Sequence, residues 1–351
     1  MISNETFVLA LGVFLAGLAL WAFKRLPCED WQILASIPIL KNSGDRWHGL
    51  NLTYYGLLTA NALVFGVAIL IILLGALHVP ATLSLALIAA VLLICLPAAR
   101  AMARLVEGKS FNFTVAGAFF VGIFAAPAML KLFNSISTSN SSQSIPLLPA
   151  LAAIMVAYAF GEGLGRLACI SFGCCYGKSL AEVRPIVRKI FGSWHFVFSG
   201  KMKKISYASN MDGKQVVPIQ AITAVFYITT GLLSTLLFLR GDYALSLIIA
   251  TAVTQGWRAV SETLRADYRG EGNITAYQAM AVAAISWTAS VAYTADSYRS
   301  VTPDLYTGLE TIWHPAVLLS LQALWAIVFL FFGKSMVTGA EISFHLYHDR
   351  I

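Results

Sequence analysis

Five ionisable side chains fall inside or at the edge of runs that are otherwise apolar. In Gly161-Glu162-Gly163-Leu164-Gly165-Arg166 a carboxylate and a guanidinium stand at i and i+4, so a helix carries both on one face. Arg258, Glu262 and Arg265, spaced i, i+4 and i+7, share a face of a second helix in the same way. An ionisable group deep in a membrane span costs at least about 2.5 to 3.5 kcal/mol on insertion scales, so each needs a partner or a task. One reading makes the clusters self-satisfied ion pairs that let helices pack. The other starts from the charge count: three arginines against two carboxylates leave one positive charge in apolar surroundings. A guanidinium offers an anionic phosphate a planar bidentate fork. Gly161, Gly163 and Gly165 fit either reading, as small residues for close helix packing or as openings through which a lipid headgroup reaches the backbone.

Other candidates are weaker. Cys28, Cys95, Cys169, Cys174 and Cys175 make no paired CxxC framework, and the adjacent Cys174 and Cys175 suit neither a tetrahedral site by themselves nor a mutual disulfide. They are read as packing thiols, with no metal and no cofactor expected. His314 precedes Pro315 at a helix start, and His345 and His348 lie in a polar tail, which makes them surface histidines. Tyr54 and Tyr55 suit an interfacial aromatic belt, and Asn112 a helix cap.

The elements that position these residues follow from composition. The chain of 351 residues is 58% hydrophobic and only 12% charged, against roughly a quarter charged in a soluble domain. Most of it must therefore meet lipid or other apolar helices. Nine windows approach the roughly 20 apolar residues of a spanning helix: Thr6–Phe23, Leu52–Leu77, Val79–Ala99, Phe111–Leu130, Ile145–Gly173, Val216–Leu239, Tyr243–Trp257, Ile274–Thr294 and Ile312–Phe332. Pro80 divides an apolar run too long for one crossing. Thr6–Phe23 is expected to be a retained helix, since Met1 to Glu5 hold no Lys or Arg and no small-residue cleavage site follows. Continuous runs, where barrel strands would alternate, favour helices over a barrel. The expected class is all-α: a polytopic helical membrane protein of about nine spans.

Three polar stretches interrupt the spans. Lys24 to Asn51 is mixed, with an apolar patch Ile33 to Leu40 that suits a short strand or an interfacial segment, and Asn134 to Ser144 is low-complexity and expected to be a mobile loop. Gly177 to Gln215 carries eight Lys or Arg against Glu182 and Asp212, with Phe191, Trp194, Phe196, Phe198 and Tyr207 among them, and is expected to be a basic interfacial headpiece on anionic lipid. Nucleic acid is a poor partner for so apolar a chain. Counted across nine spans, one side holds 19 Lys or Arg and the other three, which puts the headpiece in the cytoplasm.

The run Gly165-Arg166-Leu167-Ala168-Cys169-Ile170-Ser171-Phe172-Gly173-Cys174-Cys175-Tyr176-Gly177-Lys178 resembles the signature of the prolipoprotein diacylglyceryl transferases and their cysteine-containing relatives. Other pieces fall in the same order: Tyr55-Gly56-Leu57, Pro218-x-Gln220, Arg258-x-x-x-Glu262-x-x-Arg265 and Gln278. The resemblance implies a core over 51–296 with its headpiece at 177–215, preceded by an extra helix and arm (1–50) and followed by an extra helix and tail (297–351). It also implies transfer of a diacylglyceryl group from phosphatidylglycerol to the lipobox cysteine of a prolipoprotein in the bacterial cytoplasmic membrane. On this resemblance Arg166, Arg258 and Glu262 are catalytic, and Tyr55, Asn112, Glu162, Gly165, Gly173, Gln220 and Arg265 bind substrate. Arg166 and Arg258 would hold the phosphate, oriented by Glu162 and Glu262. Three positions depart from the family pattern: Asn112-Phe113-Thr114-Val115 lacks the histidine of a histidine-glycine-glycine-leucine motif, Cys169 replaces asparagine, and Ile222-Thr223 replace tyrosine and glutamate. The family orientation places the headpiece outside the cytoplasm, against the charge count. A phospholipid-binding or transport protein without chemistry is the second expectation.

Overall fold

The computed structural model describes residues 3–42, 44–108, 113–137, 144–266, 274–295 and 302–351. Helix α1 (Asn4–Arg25) leads through strands β1 (Ile33–Lys41) and β2 (Arg46–Thr53) into α2 (Tyr54–Ala76), α3 (Ala81–Glu107), α4 (Val115–Ser137) and α5 (Leu147–Phe172). A short-element segment follows, with α6 (Pro185–Phe191), β3 (Phe196–Val197), α7 (Lys204–Ser209) and β4 (Gln215–Val216). Then come α8 (Ile219–Leu239), α9 (Tyr243–Ser261), α10 (Ala276–Thr294), α11 (Leu305–Ile312), α12 (Pro315–Phe332) and β5 (Lys334–Ser343).

Among the described residues seven helices, α1 to α5, α8 and α12, are long and apolar enough to cross a membrane, so the chain is a helical membrane protein. Nine were expected. The windows at 243–257 and 274–294 do fold as helices, each of 19 residues, but are too polar for that class. In α9 two threonines bond back to their own helix: Thr251 donates to the Leu247 carbonyl at 2.9 Å and Thr254 to the Ala250 carbonyl at 2.6 Å. The expected loop 134–144 begins as helix through Ser137, and 138–143 lie outside the described residues.

Burial sorts the helices. Within the protein, 72% of the apolar stretch of α5, 61% of α8 and 56% of α2 is covered, against 17% of α1, α3 and α12. The first three therefore make the centre, and the last three turn most of their side chains outward. Glycines allow the central helices to touch: a Cβ on Gly66 of α2 would meet the Ala157 carbonyl of α5 at 2.9 Å, and one on Gly163 of α5 would meet Tyr227 and Ile228 of α8 at 3.1 Å. Gly163 is thus a packing glycine, whereas nothing lies within 4 Å of a Cβ on Gly165.

Two small sheets depart from a purely helical chain. β2 pairs antiparallel with both β1 and β5, so the polar arm and the C-terminal tail form one three-stranded sheet. A side-chain rung crosses it: Ser36 donates to Asn51 at 2.6 Å, and Asn51 donates to Thr338 at 3.1 Å. Thr53 ends β2 and caps α2, accepting from the Gly56 amide, while its own amide and hydroxyl reach the Gly333 carbonyl at 2.9 and 3.1 Å. The start of α2 is thereby tied to the end of α12.

Candidate functional site

Helix α5 ends in a closure that decides the local chemistry. Gly173 takes the left-handed conformation (φ 70°), its amide bonds the Ile170 carbonyl at 3.1 Å, and the Cys174 amide bonds the Cys169 carbonyl at 3.0 Å. This is the glycine-terminated double bond that closes many helices, and it folds Cys174 back over Cys169. Cys175 is also left-handed (φ 55°), an uncommon state for a side chain with a Cβ. The three sulfurs lie within 4.8 Å of one another. Spacing in the sequence had suggested packing thiols; the turn gathers them.

Beyond the cysteines the backbone makes a three-way junction. Lys178 donates its amide to the Leu264 carbonyl at 2.9 Å, and the Ala266 amide reaches the Tyr176 carbonyl at 3.1 Å. On the other side the Val217 amide bonds the Lys178 carbonyl at 3.0 Å, and the Leu180 amide bonds the Gln215 carbonyl at 2.9 Å. The Arg265 segment, the start of α8 and the end of α5 are therefore stitched to one strap. A Cβ on Gly177 would sit 2.4 Å from the Val217 carbonyl, so the strap has no room for a side chain there.

The ionisable groups converge on this junction. Arg166 and Glu162, 9% and 8% exposed, form the i,i+4 ion pair within α5. Arg258 and Arg265, each 7% exposed, come within electrostatic range of Arg166. Arg258 reaches the Tyr158 hydroxyl at 3.5 Å, and the Tyr158 and Tyr227 rings sit 6.1 Å apart beside it. Tyr227 is 1% exposed and donates to the Thr254 carbonyl at 2.8 Å. Sequence reasoning passed over Tyr158 and Tyr227; two phenols on the buried faces of apolar helices were the available signal. Tyr55, at the start of α2, packs on Phe172 with ring centroids 5.4 Å apart and neighbours the three cysteines electrostatically. Gln220, fully buried, donates to the Cys174 carbonyl at 2.8 Å.

Glu262 corrects one expectation. Helix α9 stops at Ser261, so Glu262 opens a 3₁₀ turn and Arg265 is extended; the single helical face of Arg258, Glu262 and Arg265 is not realised. Among the described residues neither Glu262 oxygen has a hydrogen-bond partner although both are buried, and no Arg258–Glu262 ion pair forms. The Nε atoms of Arg166 and Arg258 are likewise buried without a partner among the described residues. Asn112 lies outside the described residues. Gln278 closes a capping box with Thr275 and donates to the Ala259 carbonyl at 3.0 Å, fixing α10 against the end of α9.

Lys203 also went unread in the sequence, where it counted as one more basic headpiece residue. It is fully buried and donates to the carbonyls of Leu26 at 3.1 Å and Ser171 at 2.7 Å, at the C-terminal ends of α1 and α5. A cation there complements both helix dipoles. Burial nevertheless pushes its ammonium down to about 8, with Cys28 and Glu29 opposing. Comparison of the chain with protein-family models and with curated proteins finds no match.

Proposed function

We propose that this chain is a membrane transferase that moves a diacylglyceryl group from an anionic phospholipid, phosphatidylglycerol first among them, to an acceptor thiol, the lipobox cysteine of a prolipoprotein. The observation that carries the reading is the convergence of Arg166 and Arg258, both buried and each with an Nε that has no hydrogen-bond partner among the described residues, beside the buried Arg265. A buried guanidinium donor left without an acceptor is costly, and preorganised donors around developing negative charge are usually the largest catalytic contribution. Phosphate oxygens accept from the Arg166 and Arg258 guanidinium groups, with the open space at Gly165 admitting the headgroup. The acceptor sulfur forms a bond to the glyceryl carbon, the carbon–oxygen bond to phosphate breaks, and its electron pair leaves with glycerol phosphate. Glu262, with no hydrogen-bond partner among the described residues, takes the thiol proton in place of the histidine that the resembling family carries near Asn112. The basic segment 177–215 lies on anionic headgroups of the bacterial cytoplasmic membrane and feeds the site.

The test is incubation of the purified protein with labelled phosphatidylglycerol and a lipobox peptide. A thioether-linked diacylglyceryl peptide and released glycerol phosphate are expected. Retained lipid without either product would instead place the chain among non-catalytic phospholipid-binding or transport proteins.

A further inference from the structure

We propose that Cys169, Cys174 and Cys175 form a three-thiolate site for a zinc ion, with its fourth position left open beside Tyr55 and Arg166. The sulfurs lie within 4.8 Å of one another. A tetrahedral zinc with bonds of about 2.3 Å sets its sulfurs about 3.8 Å apart, so small side-chain rotations close the set. The backbone already aims the thiols: the Gly173 closure stacks Cys174 on Cys169, and the left-handed Cys175 turns the chain back. Gln220 holds the Cys174 carbonyl at 2.8 Å, the kind of outer contact that keeps a ligand in place.

The donor set selects the ion. Three soft thiolates suit zinc or copper(I), not magnesium or calcium, and no His, Asp or Glu joins the group among the described residues. Zinc with three thiolates carries one negative charge, whereas copper(I) carries two. The divalent ion therefore leaves the smaller charge in the apolar surroundings. On binding, three zinc–sulfur bonds form and the three thiol protons leave to water; nothing is oxidised. Three protein ligands with one open position is the arrangement of reactive zinc sites, where structural ones are closed. The site stands on its own geometry and not on the transferase reading.

The full-length protein, purified in detergent under a reductant, would be equilibrated with zinc alone and the bound metal counted, with cobalt as a spectroscopic substitute. One ion per chain is expected, with a thiolate-to-cobalt charge-transfer band. Replacing any one of Cys169, Cys174 or Cys175 by serine should weaken binding at least tenfold, while Cys28→Ser with Cys95→Ser should leave it unchanged. Alkylation of the parent covers the case of a variant that does not fold: zinc should shield Cys169, Cys174 and Cys175 and leave the exposed Cys28 reactive. No zinc above background in the reduced parent, or zinc retained when all three are serine, would overturn the site.

Discussion

Arg166→Lys separates recognition from support. Arg166 is 9% exposed and paired with Glu162, itself 8% exposed. Alanine would strand a buried carboxylate at a cost of about 3–5 kcal/mol, and lost folding would hide lost function. Lysine keeps the charge and can keep the pair, but it loses the planar fork, including the Nε that has no partner among the described residues. If that fork meets the phosphate as the leaving group departs, the loss is that of one preorganised donor, about 10²–10³ in rate or about 2.7–4 kcal/mol. The assay is transfer from labelled phosphatidylglycerol to a lipobox peptide, with kcat and KM resolved and detergent yield and Tm measured alongside. Equal falls in kcat and kcat/KM mark an interaction made only in the transition state. Glu162→Gln should be the milder change, because it leaves the guanidinium in place. An Arg166→Lys protein that folds like the parent and transfers at nearly the parental rate would refute the assignment, as would equal damage from Glu162→Gln.

Three further outcomes are expected. Lys203 has a folded-state value of about 8, below the roughly 10.4 of an unfolded lysine. The folded state then binds fewer protons between these values, and stability rises with pH from about 8 toward 10; Tm scans in detergent should show the rise, and Lys203→Met should flatten it. Gly56→Ala would put a Cβ 2.1 Å from the Gly333 Cα, where backbone must yield, so the junction of α2 with α12 should open and thermal stability fall by several degrees. Single cysteines at the exposed Ser193 and Ser144, in a background without native thiols, should label from opposite sides of the membrane; labelling of Ser193 only after permeabilisation would remove secreted lipoproteins as substrates.

The spans were legible because continuous apolar length is a local property, and α1 to α5, α8 and α12 lie where the windows fell. The three-stranded sheet was only half legible. The patch at 33–40 reads as a possible strand, but Arg46–Thr53, which pairs with it, and Lys334–Ser343, which pairs with Arg46–Thr53 in turn, are polar, and β5 pairs across nearly the whole chain. Arg166 and Glu162 were found by spacing because α5 continues through them; Glu262 was misplaced because the same spacing rule assumes a helix that ends at Ser261. The thiol cluster was missed for the opposite reason, since the Gly173 turn and not the spacing gathers it. Lys203 shows the limit of charge counting: its side chain is wholly inside the protein, holding two helix ends.

What the converging arginines hold can be measured without any acceptor. The purified chain in mixed micelles of equal phosphatidylglycerol and phosphatidylcholine should retain phosphatidylglycerol in several-fold excess. That excess should survive high salt, because a buried charge is screened far less than a surface one, and it should fall in Arg258→Ala. Equal retention of the two lipids, or an anionic preference that high salt abolishes and Arg258→Ala leaves intact, would contradict a buried phosphate site.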